Sequence, residues 1–226
     1  GKTPQEIAQF YTEAFHRDEA KLGILPAAHF PKATDHIQEM IQVTQRLEER
    51  GYAYEVQGNV YFAVSKFSDY GKLSGNIQGD LLEGVRVEAD PLKRDSRDFT
   101  LWKAAEPGRV LRWPSPWGDG FPGWHIECSA MALRLLDGAP IDIHAGGVDL
   151  VFPHHENEIA QAEGATGETF SRFWVHVEHL LFGEGVKMSK SLGNVFSVQD
   201  VLERGYRASA LRYVLLSVHY RKQLRF

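Results

Sequence analysis

A single cysteine, Cys128, leaves this chain without an internal disulfide and fits a reducing compartment. Long apolar runs are missing too: none approaches the roughly 20 residues needed to span a bilayer, and no basic-then-apolar leader opens the chain. These absences predict a cytoplasmic protein with no membrane partner. An excess of positive charge is also lacking. The net charge of −5 argues against broad, non-specific nucleic-acid binding, although the cluster Arg207, Arg212, Arg221, Lys222 and Arg225 can still meet phosphates locally. Internal repeats and low-complexity tracts are absent. What is present is 226 residues, 43% of them hydrophobic, enough to bury one sizeable core or one core with an inserted lobe.

Periodicity divides the chain into regions. Thr3-Pro4-Gln5-Glu6 reads as a capping box with proline at the first helical position, opening a helix to about Leu22. Ile37, Met40, Ile41, Thr44 and Leu47 follow helical spacing, with Thr34 or Asp35 as cap and Gly51 as terminator. The period then changes to that of a strand: Tyr52, Tyr54 and Val56 alternate before Gln57-Gly58-Asn59, and Val60, Phe62 and Val64 after it, a hairpin pattern. From Ile77 to Asp98 the sequence is charged and aperiodic, as in an exposed lobe or loop. A Trp- and Pro-rich loop, Trp113 to Gly123, leads into a helix ended by Gly138, then a short strand Ile141 to His144 and a glycine turn Ala145 to Asp149. Trp174 to Phe182 predicts one or two more strands. Ser197 with Asp200 starts another helix, and Ala208 to Tyr220 reads as a longer one with Leu211, Val214, Leu215 and Val218 inward. Strands alternating with helices in the second half predict an α/β fold.

Three segments carry chemistry. Lys187-Met188-Ser189-Lys190-Ser191 joins two ammonium groups to two hydroxyls, a set suited to the oxygens of a polyphosphate. Phe152-Pro153-His154-His155-Glu156-Asn157-Glu158 puts His154 and Glu158 four residues apart, on one face if a helix starts near Pro153. Trp124-His125-Ile126-Glu127-Cys128 adds a thiol, and a sulfur, nitrogen and oxygen donor set suits Zn²⁺ better than Mg²⁺ or Ca²⁺. The same residues also fit a capped helix with surface His and Glu and an inert buried cysteine. The glycines at 146 and 147 allow close backbone approach to a ribose or phosphate, and Asp149 can accept from ribose hydroxyls, although an ordinary tight turn has the same composition.

With these residues in order, together with Val60 to Phe67, Tyr70-Gly71-Lys72-Leu73-Ser74-Gly75, Trp113 to Gly118 and His219-Tyr220-Arg221, the chain resembles the cysteinyl-tRNA synthetases, a family of class I aminoacyl-tRNA synthetases. The resemblance implies a Rossmann-like class I catalytic domain, incomplete here, with an inserted connective lobe and the start of a helical stem-contact region. It implies these divisions: residues 1–50, the helical end of the first half of the catalytic domain; 51–112, the connective insertion with its hairpin; 113–185, the second half with the zinc site; 186–226, the ATP-clamp loop and the start of the stem-contact region. It further implies Cys128, His154 and Glu158 as zinc ligands, the family's fourth ligand being a cysteine near its amino terminus. Lys187, Met188, Ser189, Lys190 and Ser191 are then the ATP clamp, with Lys187 and Lys190 catalytic, and Gly147 and Asp149 become adenosine contacts. The family's His-Ile-Gly-His signature and anticodon-binding domain are not in this sequence, so a central segment is expected.

The implied reaction is activation of L-cysteine by ATP with Mg²⁺, followed by transfer to tRNA(Cys), in an enzyme that is monomeric when complete. Selecting cysteine over serine is difficult in an apolar pocket, because the two are near-isosteres. A soft zinc ion would prefer the thiolate. Trp124 would wall the amino-acid pocket or pack in the core, and His144 would orient the substrate or simply end a strand. A cysteine ligase of the mycothiol pathway, a catalytically silent binding fragment and a zinc hydrolase are the alternatives. Retention of Asp142-Ile143-His144 and His155 to Glu158 disfavours the first, the intact clamp and zinc residues oppose the second, and adjacent rather than i, i+4 histidines disfavour the third.

Overall fold

A computed structural model describes residues 1–75, 90–182, 186–187 and 196–225, the side chains of residues 182, 186 and 187 excepted. The elements run α1 (Pro4–Lys21), α2 (Ile37–Glu49), β1 (Ala53–Val56), β2 (Asn59–Phe62), β3 (Phe99–Ala104), β4 (Gly120–Pro122), α3 (Trp124–Leu135), β5 (Ile141–Gly147), α4 (Glu156–Thr166), β6 (Ser171–Val177), β7 (Leu180–Phe182), β8 (Val186–Lys187), α5 (Val198–Glu203), α6 (Ala208–Leu216) and β9 (Leu224–Arg225). They form two compact units, one of residues 31–175 and one of residues 1–30 with 176–226. The fold class is mixed α/β, as expected.

In the larger unit, β1, β2, β3 and β4 form an antiparallel sheet in that order. The β1–β2 hairpin turns at Gln57 and Gly58, both at positive φ (53° and 79°), as a two-residue turn matched to strand twist requires. Strict alternation fails on β2, where all four residues are buried. Tyr61, on the face opposite Val60 and Phe62, is covered by Tyr54, with ring centroids 5.7 Å apart, and donates its hydroxyl to Asp90 Oδ2 at 2.7 Å. Met40, Leu47, Phe62, Leu101, Trp102 and Ile126 are fully buried in one core shared by α2, the sheet and α3, to which α4 adds Ala160 and Ala165. Phe62 stacks on Phe99 with ring centroids 4.9 Å apart. A Cβ on Gly164 of α4 would stand 3.0 Å from Leu47, so the small residue sets how closely α4 approaches α2.

Several boundaries differ from the sequence reading. Neither Thr34 nor Asp35 caps α2: both lie in a 3₁₀ turn, Ala33–Asp35, and His36 takes the cap position without a side-chain hydrogen bond. Residues 77–89 of the charged lobe lie outside the described residues. At the lobe's far end Asp98 is 2% exposed, the opposite of an exposed-loop residue, because its carboxylate accepts from the Tyr54 hydroxyl (2.6 Å) and the amides of Val64 (3.0 Å) and Asp95 (3.2 Å). The predicted turn at Ala145 is a continuation of strand: β5 runs to Gly147, and the chain turns only in the 3₁₀ segment Val148–Leu150. β5 and β6 pair as a two-stranded sheet.

In the smaller unit the capping box at Thr3 and Glu6 is present, with Pro4 at the first turn. The carboxy-terminal end of α1 is held by Arg212, whose Nη1 donates to the carbonyls of Leu22 (2.9 Å) and Gly23 (2.8 Å), a cation at the negative pole of the helix. Ser197 and Asp200 form the expected capping box of α5. The last helix is shorter than its pattern: α6 ends at Leu216, Leu211 is buried, and Leu215 is exposed. β7 lies between β8 and β9.

Candidate functional site

The site is built by α3, β5 and the entry to α4. Gly123, in extended conformation, precedes the first turn of α3, and Cys128 follows Trp124 by one helical turn on the same face. Gly123 itself cannot be larger: a Cβ there would stand 2.1 Å from the Thr100 carbonyl oxygen. His154 sits in a wide turn, Val151–His155, that feeds α4, and Glu158 lies in the first turns of α4. His154 Nε2 is 2.8 Å from Glu158 Oε1, and His144 Nε2 of β5 is 3.3 Å from Glu158 Oε2. One donor atom from each of Cys128, His154 and Glu158 falls within 4.8 Å of the other two. The sequence-derived set is therefore brought together. Glu158 is wholly buried, and despite these short distances neither carboxylate oxygen makes a hydrogen bond of acceptable geometry. A buried carboxylate left in this state is costly unless something else meets its charge. A divalent cation among sulfur, nitrogen and oxygen donors would do so, and the donor set suits zinc.

The electrostatics agree. Burial, then the nearby carboxylates of Glu158 and Glu127, push the Cys128 thiol up to about 12. The thiol is thus held protonated until a cation is present to favour the thiolate. Burial, reinforced by His154, pushes His125 down to about 4, and burial also lowers His144 although Glu158 opposes it. Burial raises Glu127.

Two histidines not assigned a role from sequence join the site. His125 Nδ1 lies 2.8 Å from His154 Nδ1, leaving His154 Nε2 toward Glu158. His155, 1% exposed, forms with His144 and Glu158 a second group whose donor atoms all lie within 4.8 Å. Its ring fills the space above Gly146, where a Cβ would meet it at 2.8 Å. The repeated histidines were visible in the sequence, but only the folded chain puts positions 125 and 154 in contact. Trp124 is 57% exposed, so it is not a core residue, and its ring stacks on His154 at 4.3 Å. Gly147 closes β5, and a Cβ there would stand 2.5 Å from Asp149 Oδ1, so glycine leaves room for that exposed carboxylate. Lys187 lies in β8, paired with Leu181. Met188, Ser189, Lys190 and Ser191 lie outside the described residues.

No described helix is long and apolar enough to cross a membrane. The sequence matches the family described as tRNA synthetases class I (C) catalytic domain over residues 1–226. It is 54% identical over 227 residues to the cysteine–tRNA ligase of Desulfitobacterium hafniense, covering 100% of this chain and 47% of that protein. It is 53% identical over 226 residues to that of Carboxydothermus hydrogenoformans, covering 100% and 48%. The chain thus spans about half the length of the curated relatives it matches. Among solved structures, Mycobacterium tuberculosis methionyl-tRNA synthetase in complex with methionyl-adenylate superimposes with a TM-score of 0.69 at 18% identity, over 100% of this chain and 54% of that one, a likeness of fold.

Proposed function

Because the chain belongs to the class I (C) tRNA synthetase catalytic-domain family, we propose that it forms the cysteine-selecting part of an enzyme that activates L-cysteine with ATP and transfers it to tRNA(Cys). The observation that carries this reading is the convergence of Cys128, His154 and Glu158 on one point, with the Glu158 carboxylate buried and lacking a hydrogen bond. Those three residues would hold zinc. When bound, zinc supplies a soft acceptor that takes a thiolate sulfur far more readily than an alcohol oxygen, so that cysteine is chosen over serine.

The chain's own residues do the rest. Trp124, stacked on His154 and half open to solvent, walls the amino-acid pocket. His144, 3.3 Å from Glu158 and with its pKa lowered by burial against the opposing pull of that carboxylate, orients the substrate. Gly147 and Asp149 receive the adenosine, the carboxylate accepting from ribose hydroxyls. In the activation step a cysteine carboxylate oxygen forms a bond to the α-phosphorus of ATP while the bond to the bridging oxygen breaks and pyrophosphate leaves with its electron pair. Lys187 and Lys190 neutralise charge on the departing group, Ser189 and Ser191 donate hydrogen bonds to its oxygens, and Mg²⁺ accompanies ATP as substrate.

The test is cysteine-dependent exchange of labelled pyrophosphate into ATP by the full-length polypeptide. Exchange with cysteine, absent with serine and abolished in Cys128→Ala, is the expected result. Equal exchange with both amino acids would remove the selective role.

A further inference from the structure

The loop Tyr70–Ser74 and the start of α4 are tied by contacts that the proposed chemistry does not use. Glu156 is 0% exposed, and each of its carboxylate oxygens accepts from a loop amide: Oε1 from Gly71 N at 2.9 Å and Oε2 from Ser74 N at 2.8 Å. Asn157, 1% exposed, accepts from the Tyr70 hydroxyl through Oδ1. Gly71 has φ of 99°, a conformation that a side chain would strain, so the loop shape that aims these amides depends on glycine. The contrast two residues further on is sharp. Glu156 is satisfied by the protein, whereas Glu158 is not.

The position of these contacts gives them a purpose. His154 and Glu158 share one face of the α4 entry, and Glu156, midway between them, projects from the other side. This entry is irregular: Phe152 departs from helical geometry (φ −139°, ψ 134°), and the turn Val151–His155 runs directly into α4, the Glu156 amide donating to the carbonyls of Val151 and Pro153. The loop adds a second hold on this irregular turn, through two buried hydrogen bonds to the one Glu156 carboxyl group.

We propose that Tyr70–Ser74 is a positioning device for the metal centre, fixing the first turn of α4 through Glu156 and Asn157 so that His154 and Glu158 are presented in ligand geometry. This rests on the metal-centre reading above. Outer residues that orient metal ligands are generally worth about 10- to 100-fold in metal affinity, and Glu156→Gln, which sets an amide N–H₂ against a loop N–H, should fall in that range. Tyr70→Phe removes a single hydroxyl and tests the same link with little risk to folding. Lys72→Met is the control. It removes an ion pair from the same loop to Glu163, further along α4, where Lys72 is 40% exposed.

The experiment is Co²⁺ titration of the purified chain, below its melting temperature, reading affinity by chelator competition and the visible ligand-field and sulfur-to-cobalt bands. The expected result is Co²⁺ uptake by the unaltered chain, loss in Cys128→Ser, about tenfold or greater weakening with altered bands in Glu156→Gln, a smaller change in the same sense in Tyr70→Phe, and none in Lys72→Met. If the unaltered chain takes up no Co²⁺, or Cys128→Ser takes it up unchanged, the metal-centre reading falls and this proposal with it. If uptake needs Cys128 but Glu156→Gln and Tyr70→Phe match the unaltered chain, or Lys72→Met weakens binding as much as Glu156→Gln, the positioning role alone is overturned.

Discussion

Glu158 is unfavourable where it stands, a buried carboxylate without a hydrogen bond, whereas Cys128 beside it rests as a thiol whose ionisation is opposed, its value raised to about 12. Arrival of a cation changes both, meeting the charge of the carboxylate and favouring the thiolate. Zinc should therefore raise the melting temperature of the chain, since a ligand that binds only the folded state stabilises it by mass action. Cys128→Ser, similar in size but lacking the thiolate, should lose most of that rise; calorimetry with and without zinc checks it. His125 supplies a pH prediction. Its folded-state value of about 4 lies below the ordinary 6.5, so between those values the unfolded chain binds more protons. Its contribution is complete above about pH 6.5 and is lost as pH falls toward 4. In the metal-free chain this should amount to on the order of 2 kcal/mol. Denaturant titration at several pH values should give a flatter profile for His125→Gln. The pairing of His154 with Glu158 was legible because it is local, a four-residue helical spacing. The contact of His125 with His154 and the burial of Asp98 were not, because each needs partners brought from another element.

Among elements, those defined by local signals were readable and those defined by neighbours were not. Thr3 with Glu6, and Ser197 with Asp200, carry their caps in adjacent residues, and both helices start where the pattern places them. β2 lost its expected alternation because its two faces are covered differently, Val60 and Phe62 by the core and Tyr61 by Tyr54 and Asp90, which no periodicity within Asn59–Phe62 can reveal. The glycine turn after His144 failed for a related reason: pairing with β6 carries β5 on through Gly147. Two glycines beside the site are fixed by close packing. A Cβ at Gly120 would stand 2.1 Å from Trp102 Nε1, and one at Gly123 equally close to the Thr100 carbonyl oxygen. Gly123→Ala should push α3, and Cys128 with it, away from the sheet. The expected loss is about 3 kcal/mol, at the upper end of overpacking costs, accompanied by weaker metal uptake. Urea unfolding together with metal analysis would test it, and an unchanged midpoint would mean that α3 moves freely.

At the scale of the whole molecule, the larger unit carries the residues proposed to select cysteine, and the smaller carries β8 with Lys187. The proposed division of labour separates substrate choice from transition-state charge. Lys190→Ala in the full-length polypeptide should lower the maximal pyrophosphate-exchange rate by about 100-fold, the scale of losing one transition-state charge stabiliser, while leaving KM for cysteine nearly constant. Steady-state kinetics would distinguish this from a change in KM alone, which would place the lysine in ground-state binding. The family and its mixed α/β class were legible from ordered motifs, because the chemistry places rare residue types at fixed spacings. The grouping of residues 1–30 with 176–226 was not, because it depends on contacts between segments far apart in sequence, such as Arg212 with Leu22.

The central claim is that Cys128, His154 and Glu158 hold a zinc ion whose preference for a thiolate selects cysteine. Zinc-edge X-ray absorption on the purified chain, with and without added amino acid, tests it most directly. The account predicts bound zinc with one protein sulfur and nitrogen or oxygen donors for the rest, its sulfur count rising by one with cysteine and staying constant with serine. A chain that binds no zinc, or a sulfur count that cysteine leaves unchanged, would contradict it.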